Sequence, residues 1–263
     1  MPEARAQPHL ARCREILERV AAQQQHIEQA AEWMAASILA GRVVHLFGAG
    51  HSRILVEEMW PRYGSFPGFN PIVELSLTFH NLVSGANGQR QAMFLETRSG
   101  LAERILRNFD LSPSDTALIA SSSGANTVPV EMAEGFRAAG IRVVAIVSRD
   151  HARVSTSNHP RGVNLMDTAD LVLDTGAPAS DALVEIPGLP GPVAPGSTIG
   201  GCLLVNALKA EIAARLAAGG APPPVLTAGC LVGPARSKEL FEAAYDEHAR
   251  RMAGLYARLG QTE

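Results

Sequence analysis

Thr116-Ala117-Leu118-Ile119-Ala120-Ser121-Ser122-Ser123-Gly124-Ala125-Asn126-Thr127 is the stretch on which the fold turns. A short apolar run passes without a break into three hydroxyls and a glycine, and Val128 to Ala139 then reads as a helix ended by Gly140. An unbroken apolar run of strand length marks a strand buried on both faces, the habit of parallel sheets. A strand that turns at once into a helix is half of a βαβ unit.

The same grammar recurs on either side. Val43 to Phe47 is a second strand run, followed by the tight turn Gly48-Ala49-Gly50 and a helix that Ser52 opens and Arg62 closes. Pro71 to Glu74 predicts a strand, Leu75 to Val83 a helix, 84–98 an irregular segment, and Gly100 to Asn108 another helix. Arg142 to Val147 and Leu171 to Leu173 supply two more strands. Alternation of this kind predicts an α/β fold, a three-layer sandwich with a central parallel sheet, doubly wound in the flavodoxin manner.

The flanks are helical. Leu10, Cys13, Leu17, Val20, Ile27, Ala31, Met34 and Ile38 recur at helical spacing and predict one long helix over 8–40, stopped by Gly41. Residues 174–196 interrupt the rhythm with prolines and glycines, and Ala182 to Ile186 reads as a short strand inside that excursion. Ser197-Thr198 then caps a long helix to Ala218. Pro222-Pro223-Pro224 is a stiff break, and a last helix covers Ser237 to Leu259. The expected organisation is a single domain over 1–263, with its core at about 40–215, an N-terminal helix over 1–40 and a C-terminal helical extension over 220–263.

Composition excludes several classes of function. The chain has 263 residues, 46% hydrophobic and 19% charged, an ordinary globular balance. Its net charge of −3 comes with no basic stripe and no aromatic platform among basic residues, so no nucleic-acid partner is expected. Cys13, Cys202 and Cys230 are odd in number and widely spaced, which argues against a disulfide framework. No His-x-x-x-His pair points to a metal. Met1 to Arg19 lacks a signal-peptide core, and Gly200 to Ala218 is broken by Asn206, Lys209, Glu211 and Arg215, so no membrane partner is expected. The cytoplasm is the expected setting.

The serine turn carries the chemistry. In an open α/β sheet, ligands bind beyond the carboxyl ends of the strands. A helix beginning there offers unpaired N–H groups and the positive end of its dipole. Ser121, Ser122 and Ser123 add hydroxyl donors, and Gly124 lets the backbone approach an anion. A single helix cap accounts for one hydroxyl, not three. The turn Gly48-Ala49-Gly50-His51-Ser52 faces the same crevice. It fails the dinucleotide pattern because Arg53 stands where the third glycine belongs, so no cofactor is expected.

Three motifs in order, Gly48 to Ser52, Ser121 to Asn126 and Ser197 to Ala210, resemble the sugar isomerase (SIS) domain, over about residues 40–215. Phe47-Gly48-Ala49-Gly50-His51-Ser52 and Asn126-Thr127-Val128-Pro129 are most similar to a phosphoheptose-isomerase-like branch. The resemblance implies a phosphate loop of Ser121, Ser122, Ser123, Gly124, Asn126 and Thr127, with Gly50, Ser52, Ser197 and Thr198 as further substrate contacts. Asn126 stands where the family has Ser or Thr, and Thr127 follows one residue later. The resemblance also implies a sugar-phosphate ligand and a homodimer or homotetramer.

Aldose–ketose isomerisation through an enediol needs a base near the substrate carbon. Candidates near strand ends or helix starts are His51, Glu57, Glu58, Glu74, His80 and Asp181, of which Glu74, His51 and His80 are taken as the catalytic set. A non-catalytic phosphosugar sensor, or a lyase or etherase of an amino-sugar phosphate, are the alternatives.

Overall fold

Every residue of the strands Val44–Gly48 (β1) and Thr116–Ala120 (β3) is buried. Their unbroken apolar runs are therefore those of central strands covered on both faces. The structure, a computed structural model, describes residues 6–78, 89–257 and 259. With Phe69–Ile72 (β2), Arg142–Val147 (β4) and Leu171–Asp174 (β5), these strands form a parallel sheet in the order β2-β1-β3-β4-β5. The chain leaves β1 to one side for β2 and to the other for β3, so strand order reverses between β1 and β3. Register pairs Gly48 with Ala120, which starts the turns after β1 and β3 from neighbouring positions.

Side chains alternate across the sheet. Val44, Leu46, Leu118, Ala120, Val144 and Ile146 belong to one core, shared with Gln24–Leu39 (α2), Arg53–Met59 (α3) and Ser197–Ala218 (α9). Phe47, Ala117, Ile119, Val143, Ala145 and Val147 belong to the other, shared with Leu101–Leu106 (α5) and Thr127–Ala138 (α6). The expected three layers follow. Gly200 sets the closeness of α9: a Cβ there would lie 1.8 Å from the Thr175 carbonyl oxygen.

The N-terminal region departs from expectation. It is two helices, Ala6–Ala21 (α1) and α2, broken at Gln23. The Gln23 side-chain amide pairs with the backbone of Asp174 in β5, accepting from its N–H at 2.7 Å and donating to its carbonyl at 2.8 Å. One glutamine thus occupies hydrogen-bonding groups at the sheet edge, which an open edge strand would present to other chains.

Other boundaries move. The turn Gly50–Ser52 is 3-10 helical, and α3 ends at Met59, because Trp60 before Pro61 is extended (φ −160°, ψ 140°). β2 lies two residues earlier than expected, and Leu75–Leu77 is only a 3-10 turn. The rest of the helix expected to Val83, and His80 with it, lie outside the described residues. Gln89–Glu96 (α4) is a helix within the segment read as irregular.

Arg149–Val154 (α7) and Leu165–Thr168 (α8) were not anticipated. Ala182–Val184 (β6) is antiparallel to Val193–Pro195 (β7), a partner the sequence reading lacked. The chain closes with Gly229–Val232 (α10) and Pro234–Tyr256 (α11), the latter opening on Pro234 and not Ser237, as suits proline in a helix's first turn. No helix among the described residues is long and apolar enough to cross a membrane.

Candidate functional site

A cleft of about 350 Å³ opens at the carboxyl ends of β1 and β3, where strand order reverses. Ala49, His51 and Ser52 line it from the first turn, and Ser121, Ser122, Ser123 and Asn126 from the second. Gln89, Met93 and Glu96, spaced to share one face of α4, form another wall. His151 of α7, Thr175, Asp181, Ser197 and Thr198 complete the enclosure.

The serine turn is pinned at both ends. Ser121 still donates its N–H to Ile146 (3.0 Å), and the Ser122 carbonyl accepts from Ser148 N–H (2.9 Å). Gly124 has φ +61°, and a Cβ there would lie 2.4 Å from Asn164 Oδ1. Glycine is favoured on both counts. Among the described residues no hydrogen bond uses the N–H of Ser122 or Ser123. The Ser123 hydroxyl oxygen accepts from Ala125 N–H at 3.3 Å, leaving its own proton to donate. Ser122 Oγ lies 3.3 Å from His151 Nδ1. Hydroxyls and N–H groups thus gather on the turn that leads into α6, an arrangement that suits an anion.

Glu96 faces this turn and is 7% exposed. Burial raises its carboxyl to about 7, against the opposing effect of a hydrogen bond from Asn126 Nδ2 at 3.0 Å. A carboxyl poised near neutrality in a cleft can both take up and return a proton. The sequence reading missed Glu96 because the glycines before it hid α4, and it missed His151 because α7 was not anticipated.

The expected site residues divide. Gly50 (φ +55°) shapes the first turn, and His51 and Ser52 line the cleft. Ser197 and Thr198 line it too, with Asp181 gripping the start of α9. Thr127 is fully buried, its hydroxyl within reach of the carbonyls of Asn158 (2.9 Å) and Thr97 (3.2 Å), so its side chain turns away from the cleft.

Glu74 does not line the cleft; its carboxylate accepts from Ser76 N–H (3.0 Å) and Ser76 Oγ–H (2.8 Å), closing its own 3-10 turn. Glu57 and Glu58 lie on α3, ion-paired with Arg53 and Arg62. No Lys or Arg lines the cleft among the described residues, and none of their His, Cys, Asp and Glu side chains form a group able to hold a metal ion.

The family model of the SIS domain matches residues 9–148. A UPF0309 protein of Geobacillus kaustophilus is 32% identical over 231 residues, covering 88% of this chain and 85% of its own. A UPF0309 protein of Streptomyces coelicolor is 34% identical over 207 residues, covering 79% and 81%. Among solved structures, phosphoheptose isomerase GmhA of Neisseria gonorrhoeae aligns with a TM-score of 0.48 at 15% identity, over 78% of this chain and 94% of that one. The sugar isomerase domain of an RpiR transcription factor from Sphaerobacter thermophilus gives 0.47 at 16% identity, over 89% and 91%.

Proposed function

The chain belongs to the SIS-domain family, among the UPF0309 proteins, and from that premise we propose that it isomerises a sugar phosphate between aldose and ketose without a cofactor. The observation that carries the reading is Glu96, a buried carboxyl at about 7 facing the serine turn across one cleft.

The phosphate group sits on the serine turn, where Ser122, Ser123 and the start of α6 supply donors. The carbonyl end of the sugar then reaches toward Glu96. Glu96 removes the proton from the carbon beside the carbonyl and leaves an enediol. The same carboxyl, whose proton exchanges with solvent while the enediol lasts, returns a proton to the former carbonyl carbon, while the hydroxyl proton passes between the two oxygens. His51 and His151, both lining the cleft, are placed to carry it. No atom is gained or lost over the cycle.

Solvent exchange tests this. Incubated in deuterium oxide with a panel of pentose, hexose and heptose phosphates, the protein should wash deuterium into the carbon next to the carbonyl of one of them. Glu96→Gln should abolish the exchange and keep binding. Binding with neither exchange nor conversion of aldose to ketose would mark a sensor, and exchange persisting at the normal rate in Glu96→Gln removes Glu96 from the role.

A further inference from the structure

Asn126 occupies the N-cap of α6 (φ −82°, ψ 149°), yet its side chain makes no cap hydrogen bond. Asparagine is among the best capping residues because its oxygen reaches the N–H of the second or third helical residue. Here the third is Pro129, which has no N–H to offer. The Asn126 amide turns instead to two side chains. Its Nδ2 donates to Glu96 Oε2 at 3.0 Å, and its Oδ1 accepts from Asn158 Nδ2 at 2.8 Å. Asn158 is itself fixed by its backbone: its N–H donates to the Ala125 carbonyl (2.8 Å), and its carbonyl accepts from the Thr127 hydroxyl (2.9 Å). Both neighbours of Asn126 in the chain therefore hold the residue that orients its amide.

We infer that Asn126, aligned by Asn158, is a positioning residue for the Glu96 carboxyl and not a donor to the bound phosphate. The inference rests on the proposed role of Glu96 and assigns how that group is tuned. With its oxygen committed to Asn158, the amide presents only N–H to Glu96. That donor favours the carboxylate over the neutral acid, holds one oxygen, and leaves Oε1 to meet substrate. A serine or threonine at 126 would be too short to bridge Asn158 and Glu96 together. The departure of this chain from the usual Ser or Thr at that position thus acquires a reason.

The relay is read directly from the ionisation of Glu96. In full-length protein labelled with carboxyl-¹³C glutamate, the buried resonance that disappears in Glu96→Gln reports Glu96 without any turnover. Asn126→Ala should raise its titration midpoint by about one pH unit, because the donor to the charged form is lost. Asn158→Ala, an exposed position outside the cleft, should move it the same way by less.

Inorganic phosphate affinity, measured by calorimetry, should stay within about twofold in both variants, since neither side chain donates to the phosphate. An unmoved midpoint in both variants, or a loss of phosphate affinity of tenfold or more in Asn126→Ala, overturns the inference; the latter would make Asn126 a phosphate donor. If Asn126→Ala does not fold, Asn158→Ala decides alone. A normal relay titration combined with exchange that survives in Glu96→Gln would sink the catalytic reading and leave the relay standing.

Discussion

The Asp181 carboxylate grips the first turn of α9 through Ser197: Oδ1 accepts the Ser197 N–H at 2.7 Å, and Oδ2 accepts the Ser197 hydroxyl at 3.0 Å. Oδ1 also takes the Gly196 N–H at 3.2 Å. The helix that Ser197 was expected to cap is capped from across the β6–β7 hairpin. Asp181 holds this position at φ +62°, a left-handed conformation that aspartate and asparagine tolerate better than other side chains.

Asp181→Ala should therefore lose both the cap and the conformational fit, at a cost of about 2 kcal/mol. Asp181→Asn keeps an acceptor oxygen and the tolerance, and should cost about half of that. Urea unfolding of the two variants checks the order. Equal losses would mean that the grip on Ser197 contributes nothing beyond the shared loss of charge.

Ser123→Ala should weaken binding of a hexose phosphate about tenfold, the order expected for one hydrogen bond to a charged group. Among the described residues the Ser123 hydroxyl has only the Ala125 N–H as a hydrogen-bond partner, so the unfolding midpoint should barely move. Calorimetry with folded variant protein is the measurement. Affinity equal to that of the unsubstituted protein would remove the serine turn as the phosphate cradle.

The turn was legible in the sequence because its determinants are local. Buried apolar runs, three serines and a glycine sit together, and Gly124 readily takes the φ of +61° that the turn uses. What escaped depends on distant partners. Good helix formers surround Gln23, and only its pairing with Asp174, on the far side of the chain, shows why the helix breaks there. Thr127 reads as a phosphate donor until Thr97 and Asn158 supply carbonyls for its hydroxyl. Glu96 was within reach: Gln89, Met93 and Glu96 have the spacing of one helix face, and the glycines just before them outweighed that pattern.

Asp115 anchors the opposite end of the sheet. Burial pushes its carboxyl up, but hydrogen bonds from His45 (3.2 Å) and a two-pronged contact from Arg42 (2.8 and 2.9 Å) hold it below the usual carboxylate range. Asn70 Nδ2 sits 3.0 Å from His45 Nδ1, which leaves Nε2–H to donate to Asp115. A folded value below the unfolded one stabilises the protein above the unfolded value of about 4, and that stability is lost as pH falls through the folded value. Asp115→Asn should cost about 3 kcal/mol at neutral pH, the scale for breaking a buried pair. The gap from the unsubstituted protein should narrow in acid. A gap that stays constant down to pH ~3 would show that the Asp115 charge is not what the network stabilises.

Glu96 carries the opposite sign. Its folded value of about 7 lies above the ordinary glutamate value of about 4.5, so the folded state resists its ionisation. Below the unfolded value the carboxyl is neutral in both states and costs nothing. As pH rises to 7 the unfolded chain releases the proton first, and folding stability falls by about 3 kcal/mol before levelling off. Glu96→Gln has no proton to release and escapes that slope. Relative to the unsubstituted protein it should gain about 3 kcal/mol of stability between pH 4 and pH 8, while losing the solvent exchange assigned to Glu96. Urea unfolding at the two pH values measures the difference. If the variant's advantage is the same at both, Glu96 titrates as an ordinary surface carboxylate and has no claim to poised proton transfer; if it grows as stated, the cleft holds its base at the expense of the fold, as a site built for proton transfer would.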